Sequence, residues 1–440
     1  MTINPLADEL NRIIEDGSPA VFRLLSRLGK EMYFPKGIVD QSAEAKQKAY
    51  RFNATIGIAT QDKRAMFLPS LYGLIKELNP DESLAYPPTT GSPRLRERWL
   101  QHQRDENPSM RDKEVSLPVV TAGITHGLSL VADMFCDEGD PLLLPDLLWG
   151  NYRMIFGLRR GAKTVSYPFF GPGGGFNVKA LKDTLTGLPA GSKAIILLNF
   201  PHNPTGYTPT PAEADGIVEA ISVEAESGRD IVAVTDDAYF GFFYEDHIIK
   251  ESLFSRLCDL HPRVLAVKLD GATKEDYAWG LRIGFLTLGT NKPAEATGLY
   301  PALERKIGGA IRSYVSCCSM LAQSMLLRAL DSPGYRREKE ERFQLLRGRY
   351  AEVKRLTRSG KYEDAFTALP FNSGYFMCLR LKEGNAEELR KRLLEEEGVG
   401  VISLGGGDVR VAFSCLEKQE MQELFDILYN AVMKTRQERR

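Results

Sequence analysis

No stretch of this 440-residue chain approaches the ~20 consecutive apolar residues of a membrane span, so no membrane-crossing helix is expected. An excess of either charge is missing too. The 57 Lys and Arg stand against 58 Asp and Glu, which creates no field for a polyanion and excludes nucleic acid or an anionic membrane as the main partner. Cysteine is scarce. The six present (Cys136, Cys258, Cys317, Cys318, Cys378, Cys415) show no C-x-x-C or Cys/His spacing, which predicts buried free thiols in a reducing cytoplasm and no metal site. Met1–Glu15 carries Asp8, Glu9, Arg12 and Glu15 and lacks a basic stretch leading into an apolar one, so no secretory signal is expected. Internal repeats are absent, and Gly171–Gly175 is the one low-complexity spot.

What is there is α/β in pattern. Short apolar runs alternate with longer helical ones from Val119 to Phe285. Strands are predicted at Val119–Thr121, Pro141–Leu144, Ala194–Leu198, Ile231–Val234 and Val264–Val267, with helices at Gly127–Cys136 and Ala212–Glu226 between them. Strands apolar on both faces and separated by helices predict a mostly parallel sheet covered on both sides. After about Leu330 the texture changes: a charged helical stretch (Tyr335–Ser359), alternating runs at Tyr375–Leu381 and Val409–Phe413, and a last helix at Lys418–Arg436 predict a smaller α+β domain. At this length two domains are expected. We expect 1–65 as an N-terminal arm with part of the small domain, 66–330 as the large domain and 331–440 as the small one.

Polar residues follow directly on the apolar runs, where an open α/β sheet keeps its ligand crevice. Lys274 stands in Gly271-Ala272-Thr273-Lys274, and Arg282 follows eight residues on between Gly280 and Gly284. A partly desolvated lysine is a nucleophilic amine near neutral pH, and a guanidinium flanked by glycines is a fork for phosphate. Asp236 ends an apolar run, where its carboxylate could keep a pyridine nitrogen protonated; neighbouring Asp237 would point away. Tyr239 and Asn203, the latter in Asn203-Pro204-Thr205-Gly206, could donate to a phenolic oxygen. Gly123-Ile124-Thr125 opens a helix with free N–H groups and a hydroxyl, which suits a phosphate. Trp149 could cover a ring, and Arg410, a charge inside the run Val409–Phe413, calls for an anionic partner such as a substrate carboxylate. Each has a bland alternative when taken alone: a surface lysine, a helix cap, a turn, a core aromatic, an internal ion pair. Together, in this order, they form the equipment for holding pyridoxal 5'-phosphate.

The set resembles the pyridoxal-phosphate-dependent aminotransferases of the aspartate aminotransferase type (class I/II), over about Phe52 to Lys434. The resemblance implies a seven-stranded-type large domain and a homodimer with shared sites. It implies Lys274 as the Schiff-base lysine of an internal aldimine, Asp236 at the pyridine nitrogen, and Asn203 and Tyr239 at O3'. Trp149 would stack on the ring. Gly123, Ile124, Thr125, Thr273 and Arg282 would bind the cofactor's phosphate end, joined by Tyr86 from the neighbouring subunit. Arg410 and Asn203 would take the substrate, beneath Gly57 of the loop Asn53–Leu68. Two departures stand out. Gly271 occupies the position where the family usually has a phosphate-binding serine. Where aspartate aminotransferases present an arginine to a second substrate carboxylate, the corresponding position here is read as Ser324, with Arg312 or Lys306 as alternative cations. The aromatic company of Tyr152 and Phe240 would then suit a neutral or aromatic side chain.

The reading is a cytoplasmic aminotransferase moving an amino group between an L-amino acid and a 2-oxo acid. A lyase on the same fold (C–S β-elimination or decarboxylation) is the alternative. A DNA-binding sensor would need a basic recognition helix, and the ~50 residues ahead of the core show none.

Overall fold

A computed structural model describes residues 4–17, 22, 25, 30–31, 38–292 and 296–439. Its larger sheet has seven strands: β1 (Val119–Thr121), β2 (Pro141–Pro145), β3 (Lys163–Tyr167), β4 (Ala194–Asn199), β5 (Ile231–Asp236), β6 (Val264–Asp270) and β7 (Gly284–Gly289). Their order is β1-β7-β6-β5-β4-β2-β3. Only β7 runs against its neighbours; β6, β5, β4, β2 and β3 are parallel. Every residue of β2, β4, β5 and β7 is buried, as expected of strands sandwiched between helical layers. Edge strand β3, Lys-Thr-Val-Ser-Tyr, is mostly solvated and carries no apolar run, so the sequence gives it no strand signal.

The covering helices include α1 (Pro93–Glu106), α2 (Ile124–Phe135), α3 (Val178–Thr186) and α4 (Pro211–Glu226). Thr210 caps α4 through a reciprocal box with Glu213, the Ser/Thr-x-x-Glu signal followed by Pro at the first turn. A single helical turn, α5 (Ala272–Glu275), follows β6; after β7 come α6 (Leu299–Tyr314) and α7 (Met320–Leu330). The 23-residue α8 (Tyr335–Thr357) leads to a four-stranded antiparallel sheet of β8 (Phe366–Ala368), β9 (Phe376–Leu381), β10 (Ile402–Ser403) and β11 (Asp408–Ala412). Helices α9 (Ala386–Glu396) and α10 (Met421–Arg439) accompany it.

The early chain joins this second sheet's region. Phe52–Asn53 pairs in parallel with Val399–Gly400, Gln41 bonds to the backbone of Ser403, and the Ala412 amide donates to the Ala54 carbonyl. The segment between, residues 54–59, therefore crosses in front of β11. No helix among the described residues is long and apolar enough to cross a membrane.

Candidate active site

The sheet register stages the polar residues. Asn199 and Asp236, the last residues of β4 and β5, lie opposite each other, and the Asn199 amide donates to the Asp236 carbonyl at 2.7 Å. The Asn199 side-chain oxygen accepts the backbone N–H of Asn203 at 2.8 Å, fixing the loop after β4. Asp236 Oδ2 accepts from the Tyr152 hydroxyl at 2.6 Å and Oδ1 from the Ala238 amide at 3.1 Å. Burial raises this carboxyl's pKa; the Tyr152 bond, the Lys274 charge and the Ala238 amide oppose that, and no cation lies within ion-pair distance among the described residues. Asp237 turns to the other side, where it pairs with buried Lys268 and accepts from Ser252 at 2.7 Å.

Lys274 sits on α5. The chain enters that turn through Gly271, where a Cβ would fall 2.6 Å from the Gly284 Cα and 2.7 Å from the Ile283 carbonyl oxygen. A side chain there would force the backbone of residues 283–284 to shift, which glycine at 271 avoids. The Lys274 amine lies 5.2 Å from the centre of the Tyr239 ring. Its pKa falls from 10.5 to about 8: burial is the largest cause, Asp236 opposes it and Arg282 adds to it. Near neutral pH such an amine has a larger neutral, nucleophilic fraction than a free lysine.

Across the cleft, Arg410 points from the middle of β11 and is 2% exposed. Its guanidinium donates to Asn203 Oδ1 at 3.1 Å and to the Thr55 carbonyl at 2.8 Å, and lies 4.2 Å from the Phe376 ring centre. Its Nε is buried without a partner. The nearby acid, Asp408, is taken by Arg380 through two contacts of 2.7 Å. Among the described residues no carboxylate pairs with Arg410, so the internal ion pair is ruled out. Gly57 lies over Tyr239: a Cβ there would come 3.3 Å from the Tyr239 hydroxyl.

At the start of α2, Gly123 has φ +80° and its carbonyl takes the amides of His126 and Gly127, leaving the Ile124 and Thr125 N–H groups as the free donors of a helix N-terminus. Arg282, itself left-handed at φ +52°, brings its guanidinium over this turn; a Cβ on Gly123 would be 2.5 Å from Nη2. Thr273 lies alongside, its hydroxyl donating to the Ile283 carbonyl at 3.3 Å. Trp149 is half-buried and edge-on to Tyr152, with ring centres 5.3 Å apart. Tyr86 is 91% exposed and lies on the surface of the single chain.

Two sequence expectations change. Phe240 lies over buried Lys268, 4.9 Å from amine to ring centre, on the Asp237 side, whereas Tyr152 stays beside the site with its hydroxyl bonded to Asp236. Ser324 is buried within α7, whereas Lys306 and Arg312 of α6 are exposed. The contact of Tyr152 with Asp236 had no sequence signal beyond a tyrosine three residues after Trp149.

The profile of the family described as aminotransferase class I and II matches residues 56–428. The chain belongs to that family. It is an aminotransferase, of a class whose members use pyridoxal phosphate. The aspartate aminotransferase of Sulfurisphaera tokodaii is 24% identical over 78% of this chain and 83% of its own length. The 2-aminoadipate transaminase of Thermus thermophilus is 27% identical over 78% and 79% respectively. In fold, this aminotransferase matches a solved aminotransferase from Anaerococcus prevotii with a TM-score of 0.82, at 22% identity, over 93% of this chain and 99% of the other.

Proposed function

We propose that this aminotransferase holds pyridoxal phosphate at Lys274 and exchanges an amino group between an L-amino acid and a 2-oxo acid. The observation that carries the reading is electrostatic. Three buried groups converge on Tyr239 without, among the described residues, the partners burial demands: a carboxylate with no cation (Asp236), a guanidinium with no acid (Arg410) and an amine with a pKa near 8 (Lys274). A cofactor bringing a protonated ring nitrogen and an aldehyde, together with a substrate bringing a carboxylate, satisfies all three. The cofactor's phosphate suits the donor set of Gly123, Ile124, Thr125, Thr273 and Arg282, and half-buried Trp149 is the ring for it to stack on.

Bound there, pyridoxal phosphate supplies the aldehyde for amine exchange and a ring that withdraws electrons from the substrate's α-carbon. The protein does the rest. Asp236, held by Tyr152 and the Ala238 amide, keeps its negative charge against the ring nitrogen. Asn203 and Tyr239 are the donors for the ring's phenolic oxygen. Arg410 binds the α-carboxylate as a two-toothed fork and so orients the bond to be broken. Lys274, whose pKa burial pulls down to about 8, keeps a free-base fraction near neutral pH and is the base that takes the α-proton and returns it. Gly57, with no side chain, lets the loop close over the substrate.

The exposed Tyr86 supports a homodimer in which each subunit completes its neighbour's phosphate site. Six unpaired thiols support a cytoplasmic location. The two sheets support residues 66–330 as the large domain and 331–440, with part of 1–65, as the small one. For a second substrate carboxylate, Arg312 and Lys306 are the candidates, both exposed.

The test is a half-reaction. Purified protein with pyridoxal phosphate, mixed with single amino acids and no acceptor, should convert the cofactor's absorbance to that of the pyridoxamine form. No conversion across the panel removes transamination; ammonia and pyruvate released without acceptor would favour the lyase.

A further inference from the structure

Lys274 sits on a helical turn of four residues, too short to stabilise itself. The chain leaves that turn through Tyr277 at φ +56°, a left-handed conformation that an aromatic residue adopts only when its surroundings hold it there. The holding groups are on either side of the next two residues. Glu275 and Asp276 are both buried. Glu275 Oε1 lies 2.7 Å from His102 Nε2 of α1 and 2.8 Å from Lys339 Nζ of α8. Asp276 Oδ1 lies 3.2 Å from the same Lys339 amine and accepts from the Tyr335 hydroxyl. The other oxygen of Asp276 is buried without a partner, so all of its anchoring passes through Oδ1.

The face of α8 that does this does more. Tyr335, Glu338, Lys339 and Arg342 recur at i, i+3, i+4 and i+7, one stripe of the helix. Glu338 accepts the Ser70 amide at 2.9 Å and the Ser70 hydroxyl at 2.6 Å, and Arg342 donates to the Phe67 carbonyl at 3.3 Å. Further along, Arg349 donates to the Ser414 carbonyl at 2.6 Å, just past the strand that carries Arg410. One helix thus touches the turn of the amine, the end of the substrate loop and the end of the carboxylate-binding strand.

Resting on the functional reading above, we propose that Lys339 is a positioning residue for Lys274. It bridges Glu275 and Asp276, clamps the amine's turn to α8, and so fixes the amine relative to the loop and strand that the same helix holds. Its work is geometric: Lys339 reaches Lys274 only through the paired carboxylates and the backbone.

The test uses the full chain free of cofactor, with pyridoxal phosphate and cyanoborohydride as the probe. Peptide mass spectrometry follows the initial rate of covalent capture at Lys274, and amide hydrogen exchange is read over residues 272–278 with β5 as the folding control. Lys339→Met should slow capture by about tenfold or more and raise exchange in the turn while β5 stays protected. Lys339→Arg, which spans the same two carboxylates, should restore both. Should Lys339→Met fail to fold, Glu275→Gln keeps the hydrogen-bond acceptor without the charge and should show a smaller slowing of the same kind. Capture at the unsubstituted rate in folded Lys339→Met, or exchange rising equally in β5, would overturn the proposal. Absence of capture in the unsubstituted chain would sink the functional reading instead, and the exchange comparison would still decide the clamp.

Discussion

Replacing Arg410 with methionine separates a residue kept for binding from one kept for folding. An arginine paired inside a core costs ~3–5 kcal/mol to remove, because its partner is left charged and buried. Among the described residues Arg410 has no such partner. Its removal deletes two hydrogen bonds, to Asn203 and the Thr55 carbonyl, worth ~1 kcal/mol each, and it also deletes a desolvated charge, which offsets that loss. Methionine is of similar length and packs against Phe376. The cofactor-free protein should therefore change in stability by less than ~2 kcal/mol in either direction. Carboxylate binding should suffer far more. Two charge-assisted bonds at ~1.5–3 kcal/mol each total at least ~3 kcal/mol, or roughly a 100-fold weaker dissociation constant for a 2-oxo acid. Urea unfolding of the cofactor-free chain and calorimetric titration of the cofactor-loaded chain measure the two quantities. A stability loss of ~3–5 kcal/mol with 2-oxo acid binding nearly intact would refute the assignment and make Arg410 a structural charge.

Lys274→Ala should lower turnover by more than ~10⁴-fold while pyridoxal phosphate still co-elutes with the protein on gel filtration, because the phosphate and ring residues remain. The Lys274 pKa of about 8 in the fold against 10.5 for a free lysine sets a sign: below about pH 8 the amine is protonated in both states and the burial penalty is present in full, and stability rises as pH climbs from about 8 to 10.5. Measured as the difference from Lys274→Met, that gain should be roughly 3 kcal/mol, and a flat difference curve would contradict it. Gly271→Ser, which restores the hydroxyl the family usually has, should destabilise by ~1–3 kcal/mol through its contact with Gly284 and leave cofactor affinity no better; a raised melting temperature would show that the backbone has room. Tyr152→Phe removes the donor to Asp236, so the carboxyl's pKa should rise further and pyridoxal phosphate affinity should fall by roughly tenfold on equilibrium dialysis.

Much of this site was legible because its residues end buried strands. Asp236 and Asn199 end apolar runs, with Asn203 in the loop just beyond, and an acid or amide in such a position stands out without coordinates. Lys274 and Arg282 were legible as a spacing between glycines. Arg410 was legible as a charge inside an apolar run. Strand β3 was not, because a solvated edge needs no apolar face. The stripe of α8 was not, because Tyr335, Glu338, Lys339 and Arg342 lie in a stretch so rich in charge that nothing marks those four as inward-facing. Phe240 was read as pocket lining because aromatic character is visible in a sequence and the direction of a ring is not. Position 324 was assigned by counting along the chain, and the boundary between α6 and α7 decides which residues stay outside.

The bond between Arg410 and the Thr55 carbonyl joins residues 355 apart in the chain. Loop closure over that distance comes late, after the local strands and helices have paired. On a ribosome Thr55 would emerge long before Arg410, so this bond stays unmade until nearly all of the chain between them has been synthesised. The strand that carries Arg410 is therefore tied to the segment crossing it only when two distant parts of the chain meet.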